Sequence, residues 1–241
     1  QSAIVRGAGE RVGGSWDRGR DNRREASIDL AFLANQQWPD QVRRERDAQG
    51  RPMLTINRLP QFVRQITNDL RQADLAIKVA PEDDKSDPKL AKLYDGLIRQ
   101  IQYQSSAGHV FSTAAEHQAA CGIGWFRITT DYKSDTSFDQ EVRIKAVRNP
   151  LSVYDDPGAI EPDRSDAMWR AVVEVWPLSS FKRAWPKASP TSVDIPTSDE
   201  TASSMHWTTA DTVRVAEYWR KVPETIELAY MEDGSTINLS E

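Results

Sequence analysis

The feature that most constrains the fold of this 241-residue chain is a change of hydrophobic period at the Gly-Ile-Gly run of residues 122–124. Before this run, apolar residues recur at helical spacing from an Asp-Pro start at 87–88, which is the strongest amphipathic pattern in the chain. After it, β-prone residues 125–132 and 138–147 flank a polar turn, which predicts a hairpin. The chain therefore switches from helix to strand here, and we predict an α+β fold with a helical N-terminal half and a strand-rich second half.

Weaker patterns complete the helical half. Residues 1 to about 14 carry four glycines and no apolar period, so they are predicted to be loose. A helix is predicted from Trp16 to about Gln37, with Ile28 and Phe32 on its apolar face. The other predictions here are a polar connection after Pro39, a helix in 57–73 and a short strand in 75–81.

The second half alternates strand patterns with turn-rich segments. Residues 166–177 alternate as a strand does and are followed by a short helix that Pro186 ends. Residues 187–210 are rich in Ser, Thr, Pro and Asp, which favours a flexible loop. Residues 212–222 and 225–233 are predicted to form a second hairpin, joined at Pro223.

The charge distribution is uneven. The net charge is −5, which argues against a general DNA-coating protein. Between residues 6 and 24, however, six arginines stand against three acidic residues. This basic arm is either a solvated terminus or a contact for nucleic acid or an acidic partner. The candidate contact residues are Arg18, Arg20, Arg23 and Arg24.

The two glycines at 122 and 124 do not predict a phosphate site. Phosphate-binding glycines follow a strand and open a helix, whereas here a helix precedes them and a strand follows. The nearby helix end is a C-terminus, whose partial charge is negative. A glycine just past a helix is instead typical of a left-handed cap.

No other motif predicts catalysis. His117 and Cys121 share a helix face, but two ligands do not make a metal site. The acids between Asp155 and Asp166 lack the calcium-loop pattern and are better explained by turns. No nucleophile elbow, Walker A or zinc-protease motif occurs. We therefore predict a protein that is not an enzyme, with no catalytic residue, cofactor or metal.

The chain also lacks membrane and secretory signals. No apolar run approaches the roughly 18 residues that span a bilayer, so no membrane contact is predicted. No apolar signal-peptide core begins the sequence. Cys121 is the single cysteine, which excludes a disulfide framework and favours synthesis in a reducing, intracellular compartment.

Several stretches, taken in order over about residues 37 to 230, resemble one family. The series resembles the portal proteins of tailed bacteriophages, specifically the large portals of short-tailed phages of enteric bacteria. The resemblance is specific because it rests on the whole series, since no single motif would identify the family. The stretches that make up the series are Gln37-Trp38 and residues 50–72, 77–84, 93–132, 137–157, 165–172 and 213–219.

The resemblance implies a homo-oligomeric ring subunit, a dodecamer at one vertex of the capsid in the virion, assembled in the host cytoplasm. Through such a ring the terminase packages double-stranded DNA, which later leaves into the tail. The implied partners are that DNA, the terminase, capsid and scaffolding proteins and the tail adaptor. The implied portal has no enzymatic activity of its own.

The resemblance also implies a domain organisation. Family members are much longer, and this chain is expected to be the N-terminal, wing-side portion. The expected divisions are a basic arm and helix at 1–36, a wing-like α+β core at 37–186, a flexible loop at 187–210 and a hairpin at 211–241.

Two other functions stay open on the residues alone. One is a metal-dependent enzyme acting on nucleic acid, with the acids between Asp155 and Asp166 as ligands. The other is a scaffold or adaptor that forms no ring and binds a protein through the Trp-rich second half.

Overall fold

The fold is that of a computed structural model, which describes residues 2–73, 77–81, 87–161, 163–189, 209–231 and 236–238. Helices dominate the first half and strands the second, so the predicted α+β class is confirmed. The helices are α1 (Ser2–Leu33), α2 (Asp40–Ala48), α3 (Leu59–Gln72), α4 (Pro88–Gln104), α5 (Ala107–Cys121) and α6 (Leu178–Ala184), with a 3-10 turn at Pro150–Ser152. The strands are β1 (Phe126–Tyr132), β2 (Gln140–Ala146), β3 (Val153–Asp155), β4 (Trp169–Pro177), β5 (Thr212–Arg220), β6 (Leu228–Tyr230) and β7 (Thr236–Asn238).

The chain divides into two compact units, residues 1–17 with 154–241 and residues 18–153. The first unit is built on a sheet in the order β3–β4–β5, in which β4 and β5 pair antiparallel over their whole length. Alternate residues of β4 are buried, as expected for a strand with one face on a core. That core consists of Val12, Tyr154, Trp169, Ala171 and Val173, with Trp16 and Tyr218 packed against it.

The second unit is built around α5. This helix packs against α3, against α4 and against both strands of the β1–β2 hairpin. The polar Thr67 of α3 is only 1% exposed, and its hydroxyl donates to the carbonyl of Arg64 at 3.2 Å. The core of this unit consists of Ala107, Val110 and Ile144, with Ile101, Phe111 and Ala146 packed against it.

The predicted helix start and first hairpin are both confirmed. The Asp87 side chain accepts a hydrogen bond from the backbone N–H of Lys89 at 2.8 Å, and Pro88 begins α4. Strands β1 and β2 pair antiparallel with Ile128 opposite Ile144. Between helix and hairpin, Gly122 takes a left-handed φ of 80° as the cap of α5.

The prediction that residues 1 to 14 are loose is wrong, because α1 begins at Ser2. Gly9 and Gly13 lie one turn apart, and both are buried together with Val12. Each glycine costs a helix about 1 kcal/mol relative to alanine. Burial of Val12 on the aromatic core of the first unit offsets that cost.

The rest of the N-terminal region differs in detail from its prediction. Ile28 and Phe32 are exposed, and the buried apolar residue in this part of α1 is Ala26. The predicted polar connection contains α2, in which Gln41 donates to Glu45 at 3.1 Å and the Arg46 guanidinium lies 4.9 Å from the Trp38 ring. Of the strand predicted at 75–81, residues 77–81 form no strand, and residues 75–76 lie outside the described residues.

The predicted pairing of residues 212–222 with residues 225–233 in a second hairpin is wrong. Strand β5 pairs with β4, and β6 pairs with β7 rather than with β5. The nine residues of β4 match the length of β5, whereas β6 offers only three. Most of the predicted flexible loop, residues 190–208, lies outside the described residues.

Gly124 gives the first testable prediction. A Cβ there would lie 1.8 Å from the carbonyl oxygen of Ala114 in α5. We expect Gly124→Ala to lower the free energy of unfolding by about 2–3 kcal/mol, because backbone must move to relieve the overlap. The measurement is urea denaturation followed by circular dichroism.

The matched control is Gly96→Ala, since a Cβ at Gly96 in α4 meets nothing within 4 Å. That change should leave stability unaltered or raise it by up to about 1 kcal/mol. Equal unfolding midpoints for the two variants would contradict this account of Gly124.

Candidate interaction surfaces

Helix α4 leaves half of its apolar face uncovered. Ile98 and Ile101, toward the C-terminal end, are partly buried, and Ile101 packs against the core of the second unit. Leu90, Leu93 and Leu97 are exposed, with Leu93 at 63%. We call these three leucines the α4 stripe.

Helix α3 shows the same arrangement. Thr67 faces inward, whereas apolar residues about 80° to 140° around the helix from it face outward. Phe62 is 55% exposed. We call Leu59, Phe62 and Ile66 the α3 stripe. Two helices of one unit thus expose leucine, phenylalanine and isoleucine side chains in rows, which is typical of surfaces that contact other chains.

The β1–β2 hairpin exposes apolar residues on one face. Phe126 contacts Phe111 of α5 edge-to-face, with ring centroids 5.1 Å apart, and this anchors the base of the hairpin. Farther along β1, Ile128 and Tyr132 are exposed, and Phe138 in the connecting turn is 95% exposed. We call Ile128, Tyr132 and Phe138, with the turn residues between the strands, the hairpin tip.

The surfaces carry different charge. Helix α4 contains Lys89, Lys92 and Arg99 against Asp95, and Arg99 forms an ion pair with Asp95 at 2.8 Å. In the turn of the hairpin tip, Asp135 and Asp139 stand against Lys133. None of the side chains of Lys89, Lys92, Asp135 and Asp139 forms an ion pair within the described parts of the chain.

The four arginines proposed as contact residues have different surroundings. The Arg23 guanidinium donates to the carbonyl of Leu151 at 2.6 Å and to that of Val153 at 2.5 Å. Arg24 forms an exposed ion pair with Glu25 at 3.1 Å. Arg20 is partly buried and has a partner, and Arg18 is exposed. Arg23 therefore holds its own unit together, a role that sequence reasoning missed because its partners are backbone carbonyls distant in sequence.

The acids proposed as metal ligands mostly accept hydrogen bonds from backbone N–H groups. Asp166 accepts from Ile160 at 2.6 Å and from Glu161 at 3.3 Å. Asp156 accepts from Gly158 and Met168, and Asp163 accepts from Ser165. Among the residues that the structure describes, no three His, Cys, Asp or Glu side chains come together as a metal site requires.

Tryptophans of the second half are largely used inside the first unit. Trp169 is buried in its core, and the Trp176 ring lies 5.2 Å from that of Trp185. Trp219 is exposed and donates to Glu217 at 2.8 Å. It borders an open cavity of about 440 Å³ at the end of the β4–β5 pair. Two cations there already bind carbonyls of the loop before β4, since Arg164 donates to Ala159 and Lys221 to Ser165.

Together these features describe an α+β protein with several exposed surfaces suited to contact with other macromolecules. Residues 10–241 match the family model of the phage P22-like portal protein, and the chain belongs to this family. This confirms the resemblance seen in the sequence.

A curated relative supports the same assignment. It is the portal protein of Acyrthosiphon pisum secondary endosymbiont phage 1, which is 24% identical over 189 residues. The match covers 77% of this chain and 26% of the relative, so the chain spans about a quarter of that protein's length. Within the described ranges, no helix has both the length and the apolar character that crossing a membrane requires.

The contacts of Arg23 give a prediction with a built-in control. Arg23→Ala leaves two carbonyls without a charged donor, so we expect the unfolding free energy to fall by roughly 2–3 kcal/mol. Arg18→Ala should change it by less than about 0.5 kcal/mol, because Arg18 is exposed. Urea unfolding of both variants measures the difference, and equal losses would show that the Arg23 contacts do not stabilise the protein.

The loop acids give a pH prediction. The hydrogen bond from the backbone N–H of Ile160 is the largest cause that lowers the pKa of Asp166. A lowered folded-state pKa means that the carboxylate stabilises the loop above the ordinary aspartate range and loses this effect as the pH falls through the folded pKa. The amide chemical shift of Ile160 should therefore titrate with a midpoint below the ordinary aspartate value. Asp166→Asn should abolish that step, and a midpoint at or above the ordinary value would contradict the assignment.

Proposed function

We propose that this chain is the wing-side part of a portal subunit, which forms a ring at one capsid vertex of the phage. Through that ring the terminase packages double-stranded DNA, and the DNA later leaves into the tail. The observation that carries the proposal is the family match over residues 10–241. In this role the chain performs no catalysis, and it functions in the virion after assembly in the host cytoplasm.

The exposed surfaces of the second unit support a ring. A closed ring is held by head-to-tail contacts, which require two different patches on each subunit. The α3 and α4 stripes lie on helices, whereas the hairpin tip lies on strands and a turn, so one unit offers distinct surfaces. We propose a dodecamer that also contacts the terminase, capsid and scaffolding proteins and the tail adaptor.

The charge of the chain is compatible with DNA passing through the ring. A wall that bound many phosphates tightly would hold the DNA, because each contact adds to the affinity. A net charge of −5 avoids this on average. Arg18, Arg20, Arg23 and Arg24 stay candidate contacts for DNA or a partner, with Arg18 and Arg24 the better placed because their side chains are exposed.

Ring formation gives the central test. We expect the gene product that contains this sequence to form closed rings of about twelve copies, because head-to-tail contacts close when the rotation per subunit divides a full turn. Native mass spectrometry measures the copy number, and negative-stain microscopy shows the central channel.

Two results would contradict the proposal. One is a gene product that stays monomeric at every concentration tested. The other is cleavage of plasmid DNA in magnesium or manganese that Asp155→Ala/Asp166→Ala abolishes, since that would establish a nuclease.

A further inference from the structure

We propose that the hairpin tip of one copy docks on the α4 stripe of the neighbouring copy in the ring. This inference rests on the proposed ring function and names the two surfaces that form the joint between subunits. It follows from where the surfaces lie in the second unit, from their shape and from their charge.

The two surfaces lie on different elements of their own unit. The hairpin is tied to the C-terminal end of α4, where the Arg143 guanidinium donates to the carbonyl of Gln104 at 2.6 Å. At the same place the backbone N–H of Ile144 donates to the hydroxyl of Ser105 at 3.0 Å. Leu93 lies eleven residues before Gln104, about 16 Å away along the helix. Both surfaces are exposed in the fold, so neither is covered by the other within the unit.

Their shapes differ in a way that suits docking. The hairpin tip presents Phe138, 95% exposed, on a narrow turn. The α4 stripe presents leucines at spacings of three and four residues, which form a row along one helix face. An aromatic ring packed among the leucines of such a row would be buried on docking, as anchor residues of interfaces are.

Their charges are opposite. The turn at 133–139 has two carboxylates and one ammonium group, a net charge of −1. Residues 88–104 have three cations and one carboxylate, a net charge of +2. Lys89 lies one turn before Leu93, and Asp139 is next to Phe138. The acids beside the aromatic anchor and the lysines beside the leucines have no ion-pair partner among the described residues. Docking would bring these opposite charges together, which favours this partner and this orientation.

The α3 stripe is the weaker acceptor. Residues 58–72 also have three cations and one carboxylate, but Arg64 and Arg71 lie on the opposite side of the helix from the stripe, at about 100° of rotation per residue. The charges beside the stripe are Arg58 and Asp69, which cancel and give no net preference for an acidic partner. The α3 stripe therefore serves as the comparison surface in the test.

Cysteine cross-linking between copies tests the docking. The single cysteine of residues 1–241, Cys121, is buried, and the product without engineered cysteines measures the background. A tagged Phe138→Cys gene product is mixed with an untagged Leu93→Cys product, allowed to form rings and oxidised. We expect a disulfide-linked heterodimer, because residues docked in this way come within the distance that a disulfide spans. The control replaces the second partner with Phe62→Cys in the α3 stripe, and we expect at least ten times less cross-linked product.

Charge reversal gives an independent readout. Asp135→Lys/Asp139→Lys should lower the fraction of protein in rings several-fold, and Lys89→Glu/Lys92→Glu in the same chain should restore it. All four side chains are exposed, so circular dichroism should show an unchanged fold.

The outcomes separate this inference from the proposed function. In one outcome, rings form normally while the Phe138→Cys and Leu93→Cys products give no more cross-linked product than the α3 pair does. That result overturns the docking and leaves the portal function standing. An unchanged fraction of protein in rings after Asp135→Lys/Asp139→Lys overturns the docking as well. A wild-type gene product without rings contradicts the portal function itself.

Discussion

The second unit depends on the close contact between Gly124 and helix α5. The chain leaves α5 at Gly122 in a left-handed conformation and passes so near the carbonyl of Ala114 that only glycine fits at position 124. This close passage lets the hairpin lie on α5, so that Ile144 is buried against Ala107 and Val110. The Gly-Ile-Gly run is therefore the point at which the chain ends α5 and packs the hairpin against it.

That arrangement covers helices α3 and α4 only in part. Helix α3 buries Thr67 and helix α4 buries part of Ile101, and both leave most of their apolar residues exposed. An apolar face half in contact with its own unit and half in solvent is costly for an isolated molecule, because exposed leucines and phenylalanines order water around them. It is favourable for a subunit whose remaining apolar contacts come from other chains. The α3 and α4 stripes are therefore stronger candidates for interaction surfaces than the cavity beside Trp219.

Much of the fold could be predicted from sequence, because local signals decide it. The Asp87-Pro88 cap, the apolar period of α4 and the alternation around the first hairpin lie within short windows. Long-range packing decided the elements that were mispredicted: glycines of α1 become helical on the first unit's core, and β5 pairs with β4 across a long connection. The interaction surfaces were beyond sequence alone, because periodicity shows which face is apolar but not how much of it the unit covers.

The same distinction separates the charged residues that stabilise the protein from those available for contact. Arg23 and Asp166 bind backbone groups of their own units, and such partners leave no mark on the local sequence. Lys89, Lys92, Asp135 and Asp139 have no ion-pair partner in the described parts of the chain, and each lies near exposed apolar residues. An exposed charge beside an apolar patch keeps the free subunit from associating at random, since like charges repel, and it favours the one neighbour that brings the opposite charge. Specific assembly in this family member is therefore best sought where unpaired charge and uncovered apolar surface coincide.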